Sequence, residues 1–149
     1  MKIILTKRYR HTVEVAMNLS DVYAAIDAEG IWTPAPNATA YGITTELNET
    51  IIRRRVAEGL NHLRSRMAGY LCGFNFNPEL EEENIVMVFE FRHPQREGLD
   101  ELLRAGIVDA LAHYVLMCFY GTDDSLHAVG WRRACARLML LLCGGGVNR

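Results

Sequence analysis

Lysine is scarce in this chain of 149 residues, which carries 2 Lys against 14 Arg. With 18 acidic residues the formal net charge is -2, so the chain lacks the positive excess of proteins that bind nucleic acids or anionic lipids nonspecifically. We therefore expect no direct nucleic-acid binding. The arginine bias suits protein interfaces, because a guanidinium pairs with carboxylates through two hydrogen bonds, although a GC-rich genome would produce the same bias.

Cysteine is sparse and carries no metal or redox pattern. Cys72, Cys118, Cys135 and Cys143 include no C-x-x-C pair, which argues against a zinc ribbon and favours buried free thiols. The opening MKIILTKRYR has only three consecutive apolar residues, too few for the core of a signal peptide. We expect synthesis in the reducing cytoplasm.

Long hydrophobic runs are also missing. The closest candidate, Leu138 to Cys143, is about a third of the roughly 20 residues that cross a bilayer. The sequence therefore predicts a protein without a membrane partner.

The familiar signatures of enzymes are absent as well. The sequence has no G-x-S-x-G elbow, no phosphate-binding glycine loop, and no two histidines at the i, i+4 spacing that places two metal ligands on one helical face. His113 does follow Asp109 by one helical turn, which we interpret as a hydrogen bond on a helix surface. We predict no catalytic residue, cofactor or metal, and favour a non-enzymatic role.

Apolar periodicity predicts a single α+β domain over residues 1–149, mostly α-helical, with about four helices, a small antiparallel β-hairpin and an extended N-terminal segment. Alternation at Val13, Val15 and Met17 indicates a strand. A short helix over residues 20–32 would begin at a capping Ser20. An irregular connection, Thr33 to Gly42, would follow.

Three longer helices and two strands complete the prediction. A helix starting near Thr45 has an apolar stripe of Leu47, Ile51, Val56, Leu60, Leu63 and Met67. Strands over 70–76 and 85–91 would form the hairpin, which we expect to project as an arm from Tyr70 to Arg92. A helix with Pro94 in its first turn and a last helix with Leu126 facing inward would then pack as an antiparallel pair.

Two opposite charge blocks suggest how copies of the chain could meet. The consecutive Arg53, Arg54 and Arg55 fan around a helix, so a solvated face is one interpretation. The other is an intersubunit salt-bridge interface with the acidic turn of a neighbour, joined by arginines of the last helix. The candidate interface residues are Arg53, Arg54, Arg55, Glu79, Glu81, Glu82, Glu83, Arg132 and Arg133.

A second interpretation is a small ligand-binding protein or an enzyme with one concave pocket. The residues that would line this pocket are Trp32, Tyr41, His113, Tyr114 and Trp131.

The segment AAIDAEGIWTPAPNATAYGITTEL, Ala24 to Leu47, resembles the opening of small head-tail connector or adaptor proteins of tailed phages and prophages. The order of elements that follows, a long helix, an arm and two closing helices, is similar too, although Pro34-Ala35-Pro36 replaces the usual Leu-Gly. The resemblance implies a structural protein without catalytic residues. It would self-associate into a ring, contact other structural proteins and be carried in the virion.

Overall fold

The computed structural model describes residues 11–31, 49–77, 83–120 and 126–144. The predicted mostly helical α+β fold is confirmed, with four helices and three strands among these residues. In chain order the elements are β1 (His11–Asn18), α1 (Leu19–Ile31), α2 (Glu49–Arg66), β2 (Leu71–Asn75), β3 (Asn84–Phe91), α3 (Leu99–Tyr120) and α4 (Leu126–Gly144). The predicted connection over 33–42 and the residues Trp32, Tyr41, Leu47, Glu79, Glu81 and Glu82 lie outside the described residues.

The three strands form one antiparallel sheet in the order β1-β3-β2. Val15 of β1 and Phe74 of β2 both pair with Met87 of the central strand. Every second residue of β3 is buried against the helices, as the alternation predicts: Ile85, Met87, Phe89 and Phe91. The prediction of a projecting arm is therefore wrong for these strands, because β3 is the centre of the sheet and part of the core.

The start of α1 is set by Asn18 and not by the predicted Ser20. The Asn18 side-chain Oδ1 accepts a hydrogen bond from the Ser20 backbone N–H at 2.9 Å. The Asn18 backbone N–H in turn donates to Asp21 Oδ2 at 3.0 Å. This reciprocal pair is a capping box, in which two amides without helical partners are satisfied. Ser20 lies inside the first turn and is exposed.

The buried stripe of α2 differs from the prediction at one position. Ile52 is 1% exposed, whereas Ile51, the predicted core residue, is 45% exposed. The other described members of the stripe, Val56, Leu60, Leu63 and Met67, are buried as predicted. Ile52 is four residues before Val56 and continues the buried stripe, whereas Ile51 is five residues before it and points to another face of the helix.

Helices α3 and α4 pack antiparallel, as predicted. Gly106 of α3 lies against Leu138 of α4, and Gly130 of α4 lies against His113 of α3. The helix α3 begins five residues later than the Pro94 prediction, because Gly98 has a φ of 89°, a left-handed conformation that interrupts a helix. Leu126 was predicted to face inward but is 64% exposed.

Helix α3 is the element that most resembles a membrane span. Its mean hydropathy reaches 1.5 over a window of 18 residues, and it is the one helix of the described residues long and apolar enough to cross a bilayer. Only 44% of that window is buried inside the fold. Core helices of soluble proteins pass the same test, and the exposed remainder of α3 contributes to the groove described below.

The cysteines divide into two groups. Cys135 is buried and Cys118 is partly buried, in agreement with the prediction of buried thiols. The prediction is wrong for Cys72 and Cys143, which are exposed. Cys72 belongs to the outward-facing side of the sheet, and Cys143 lies near the end of α4 beside the Tyr70 hydroxyl at 3.2 Å.

Candidate functional site

A group of ionisable side chains meets where α1, α3 and α4 come together. It consists of Glu29 on α1, Asp109 and His113 on α3, and His127 and Arg137 on α4. We call these five residues the polar cluster. Three helices contribute to it, so the cluster exists only in the folded chain.

Asp109 is the centre of the charged part of the cluster. Its Oδ1 lies 3.5 Å from His113 Nε2, and its Oδ2 accepts a hydrogen bond from Arg137 at 3.0 Å. The hydrogen bond with His113 is the main reason why the Asp109 pKa is lowered and the His113 pKa is raised. The helical spacing of Asp109 and His113 favoured this contact, but the sequence did not reveal the partners from α1 and α4.

The other side of the His113 ring faces His127. The two Nδ1 atoms are 3.1 Å apart, so one ring donates an N–H hydrogen bond and the nitrogen of the other ring accepts it. His127 is 0% exposed and stacks on Tyr120 with ring centroids 5.5 Å apart. Burial, followed by the nearby charge of His113, lowers the His127 pKa and favours its neutral, accepting form.

Gly130 provides the space for this arrangement. A β-carbon at position 130 would lie 2.5 Å from His113 Nδ1, far inside a van der Waals contact. Glycine in a helix interior costs about 1 kcal/mol relative to alanine, so it is an unfavourable choice unless packing requires it. A glycine inside the second turn of a predicted helix was the sequence signal that could have located the histidine pair.

Glu29 brings a second carboxylate to His113. One donor atom from each of Glu29, Asp109 and His113 lies within 4.8 Å of the other two. All three side chains are partly buried. Two carboxylates and one imidazole nitrogen at this separation can share a proton or hold a cation.

An apolar groove runs along α3 and α4 next to the polar cluster. Its volume is about 640 Å³, and Leu102 and Leu140 in its wall are 45% and 70% exposed. Arg96, Asp109 and Arg137 are its charged lining residues. Large exposed leucines in a concave surface are typical of a binding surface rather than of a solvated helix face.

The predicted arginine interface is partly used inside the chain. Arg53 donates to Glu83 at 2.7 Å and lies 3.4 Å from Glu49, while Arg55 pairs with Glu58 at 2.8 Å. The expectation that Arg53 meets Glu83 of a neighbour is therefore corrected, because the two side chains pair within one molecule. The remaining described arginines of the prediction, Arg54, Arg132 and Arg133, are exposed.

The predicted aromatic pocket is not assembled by the described residues. Tyr114 and Trp131 do meet, with ring centroids 5.0 Å apart, and His62 packs against both. His113, although adjacent to Tyr114 in sequence, belongs to the polar cluster. One helical step turns a side chain by about 100°, which sends these two neighbours to different partners.

Comparison of the chain with protein-family models, with curated proteins and with solved structures found no significant match.

Proposed function

We propose that this protein is a non-enzymatic structural subunit that associates with copies of itself head to tail. The particular assembly we propose is a ring of the head-tail connector type found in tailed phages and prophages. The subunit would be made in the cytoplasm and carried in the virion. The observation that carries the proposal is the apolar groove along α3 and α4, which is lined by Arg96 and Arg137, in a chain that also has an acidic block at Glu79, Glu81, Glu82 and Glu83.

The positions of Glu83 and Arg96 at the two ends of β3 support contact between different molecules. Glu83 precedes β3 and accepts a backbone hydrogen bond from Leu19 at the start of α1. Arg96, which lines the groove, follows the other end of β3 and lies beside residues 11–14 of β1. The strand between them spans about 23 Å at 3.3 Å per residue. Because Glu83 and Arg96 lie beyond different ends of β3, we infer that a contact between the acidic block and the groove joins two copies.

The groove and the acidic segment Glu79 to Glu83 have complementary chemistry. The groove combines exposed leucines with Arg96 and with Arg137, which is paired with Asp109 in the same wall. The exposed Arg132 and Arg133 lie nearer the start of α4, which contains no acidic residue. The segment joining β2 to β3 has the sequence Glu79-Leu80-Glu81-Glu82-Glu83, which combines one leucine with four carboxylates. Apolar contact would supply affinity, and the opposite charges would set orientation.

A contact between unlike surfaces has a consequence for the form of the assembly. Such a heterologous contact closes into a ring when the rotation between neighbours allows it, and otherwise extends into a filament. A ring is the form that the phage-connector resemblance implies. The predictions that the assembly needs neither a membrane nor nucleic acid are part of the same proposal.

A charge-swap experiment tests the contact directly. One variant carries Glu79→Lys, Glu81→Lys and Glu82→Lys, and the other carries Arg132→Glu and Arg133→Glu. Each variant alone would place like charges at its contact and remain monomeric by multi-angle light scattering. An equimolar mixture would restore assembly, because each altered surface would then face an opposite charge. A mixture that stays monomeric while the unaltered chain assembles contradicts the proposed pairing.

The groove itself is tested by replacing its exposed leucines with glutamate and, as a matched control, an exposed isoleucine outside the groove. Leu102→Glu and Leu140→Glu should abolish assembly without unfolding the chain, because both side chains are already substantially exposed. Ile51→Glu on α2 is the control, since Ile51 has the same 45% exposure as Leu102 but lies outside the groove. An unaltered chain that is monomeric at all concentrations contradicts self-association, and binding of an apolar dye to its groove would then favour the ligand-binding alternative.

A further inference from the structure

Asp109 and Arg137 of the polar cluster also line the groove, whereas Glu29, His113 and His127 are not groove residues, and the donor atoms of the cluster point to a second role. We propose that Glu29, Asp109 and His113 form a binding site for a divalent first-row transition-metal ion. Its test is separate from that of self-association, because ion binding is measured directly and the groove leucines supply no ligand atom. His113 is the single histidine among the proposed ligands, so the site lacks the two histidines one turn apart that mark many zinc sites in a sequence.

The separation of the donor atoms fits a shared ion. Ligand atoms bound at about 2.1 Å in a tetrahedral site lie roughly 3.4 Å from one another. Asp109 Oδ1 and His113 Nε2 are 3.5 Å apart, because their i, i+4 spacing places them on one face of α3. Glu29 approaches from α1, with all three donor atoms within 4.8 Å of one another. A small side-chain rotation of Glu29 would complete a three-ligand site with open positions for water or a further ligand.

The surroundings of the three residues match those of metal ligands. A histidine bound through one ring nitrogen usually donates its other N–H to a fixed acceptor. His113 has this arrangement: if Nε2 binds the ion, Nδ1 carries the proton and donates to His127 Nδ1 at 3.1 Å. On the other ligand, Arg137 holds Asp109 Oδ2 at 3.0 Å and leaves Oδ1 directed toward His113.

Gly130 contributes a second, independent indication. The imidazole of His113 occupies the space where any other residue would place its β-carbon. This position presses the ring between α3 and α4, so its Nε2 edge is held toward Asp109. The ring is therefore oriented before an ion arrives, as a metal site requires.

The donor set selects the class of ion. One imidazole nitrogen disfavours Mg²⁺ and Ca²⁺, which prefer oxygen ligands alone, and the absence of a thiolate disfavours Cu⁺. Zn²⁺, Co²⁺, Mn²⁺ and Fe²⁺ accept mixed nitrogen and carboxylate sets. Zn²⁺ and Co²⁺ are the practical probes, because Co²⁺ replaces Zn²⁺ and absorbs visible light.

The experiment uses the full chain with Cys72→Ser and Cys143→Ser, so that the two exposed thiols do not bind the probe. After treatment with a chelator and its removal, the protein is titrated with Co²⁺ while visible absorption is recorded, and Zn²⁺ is then added as a competitor. We expect one Co²⁺ per chain, displaced by Zn²⁺, and a higher melting temperature with either ion. The absence of a stoichiometric Co²⁺ signal overturns the proposal.

Variants locate the ion at the three residues. Glu29→Gln, Asp109→Asn and His113→Gln keep side-chain size and should each weaken binding at least about 100-fold, while loss of the supporting acceptor in His127→Leu should weaken it about 10- to 100-fold. His93→Gln is the matched control, because His93 is exposed and lies on the segment before α3. Circular dichroism without metal shows which variants remain folded. Unchanged Co²⁺ binding in the folded ligand variants overturns the assignment.

Discussion

The imidazole of His113 occupies the space that a side chain at Gly130 would need, since a β-carbon there would lie 2.5 Å from His113 Nδ1. This relationship joins α3 to α4 at the point where the polar cluster forms. It also explains why α4 accepts a glycine in its second turn. Its energetic consequence can be measured without any ligand.

We predict that Gly130→Ala destabilises the chain although alanine is the better helix former. Overpacking costs about 1–3 kcal/mol, and the gain in helix propensity returns about 1 kcal/mol, so a net loss of up to about 2 kcal/mol is expected. Urea unfolding followed by circular dichroism measures it. Gly69→Ala is the control, because nothing lies within 4 Å of a β-carbon at Gly69. Equal effects of the two substitutions would contradict the packing of His113 on α4.

The capping box at α1 leads to a second prediction. Asn18→Ala removes the acceptor for the Ser20 amide and should lower the free energy of unfolding by about 1 kcal/mol. Ser20→Ala should change it by less than about 0.5 kcal/mol, because Ser20 is exposed inside the first turn. Thermal unfolding of the two variants compares them directly. A larger loss for Ser20→Ala would restore the interpretation based on sequence alone.

A third prediction separates the arginines of α2. Arg53→Gln should lower the free energy of unfolding, because the Arg53 side chain is mostly buried and loses its ion pair with Glu83. The loss should be only about 1 kcal/mol, because Glu83 is half exposed and water screens the pair. Arg54→Gln should have almost no effect, since Arg54 is exposed. Added salt should narrow the difference between the two variants. Equal stabilities at low salt would show that the Arg53–Glu83 pair contributes nothing.

The fourth prediction concerns alkaline pH. Burial raises the pKa of Tyr114 to about 12 from 10.0, with the nearby Cys118 and Glu58 adding to the effect. The Tyr114 hydroxyl loses its proton near pH 10 in the unfolded chain but keeps it to about pH 12 in the folded chain. The contribution of Tyr114 to the free energy of unfolding is therefore complete below about pH 10 and is lost as the pH rises toward about 12. Urea unfolding of Tyr114→Phe should therefore show a smaller loss over this range than the unaltered chain. Parallel losses would contradict the raised pKa.

Local patterns predicted most of the fold because helices and strands repeat over a few residues. The alternation in β3 and the stripes of α2 and α3 each identified a buried face, and the short connection between the last two helices predicted their antiparallel packing. The error at Ile51 was a departure from that spacing. Ile52 lies four residues before Val56 and shares its face, whereas Ile51 lies five residues before it and is exposed.

The polar cluster was only half visible in the sequence. Asp109 and His113 are one turn apart, so their contact follows from helix geometry. Glu29 and His127 reach them from other helices, 80 residues before Asp109 and 14 residues after His113. No local pattern encodes such a meeting, and the one trace it leaves in the sequence is Gly130.

By itself, the sequence determined the α+β class, the amphipathic helices, the near-neutral charge and the two blocks of opposite sign. These properties depend on composition and on neighbours within a few residues. Tertiary structure alone decided that β3 is the centre of the sheet, that Arg53 is paired within the molecule, and that Glu29, Asp109 and His113 lie together. The physical reason is that these contacts depend on how the helix faces and sheet edges pack, and that packing minimises exposed apolar surface over the whole chain at once.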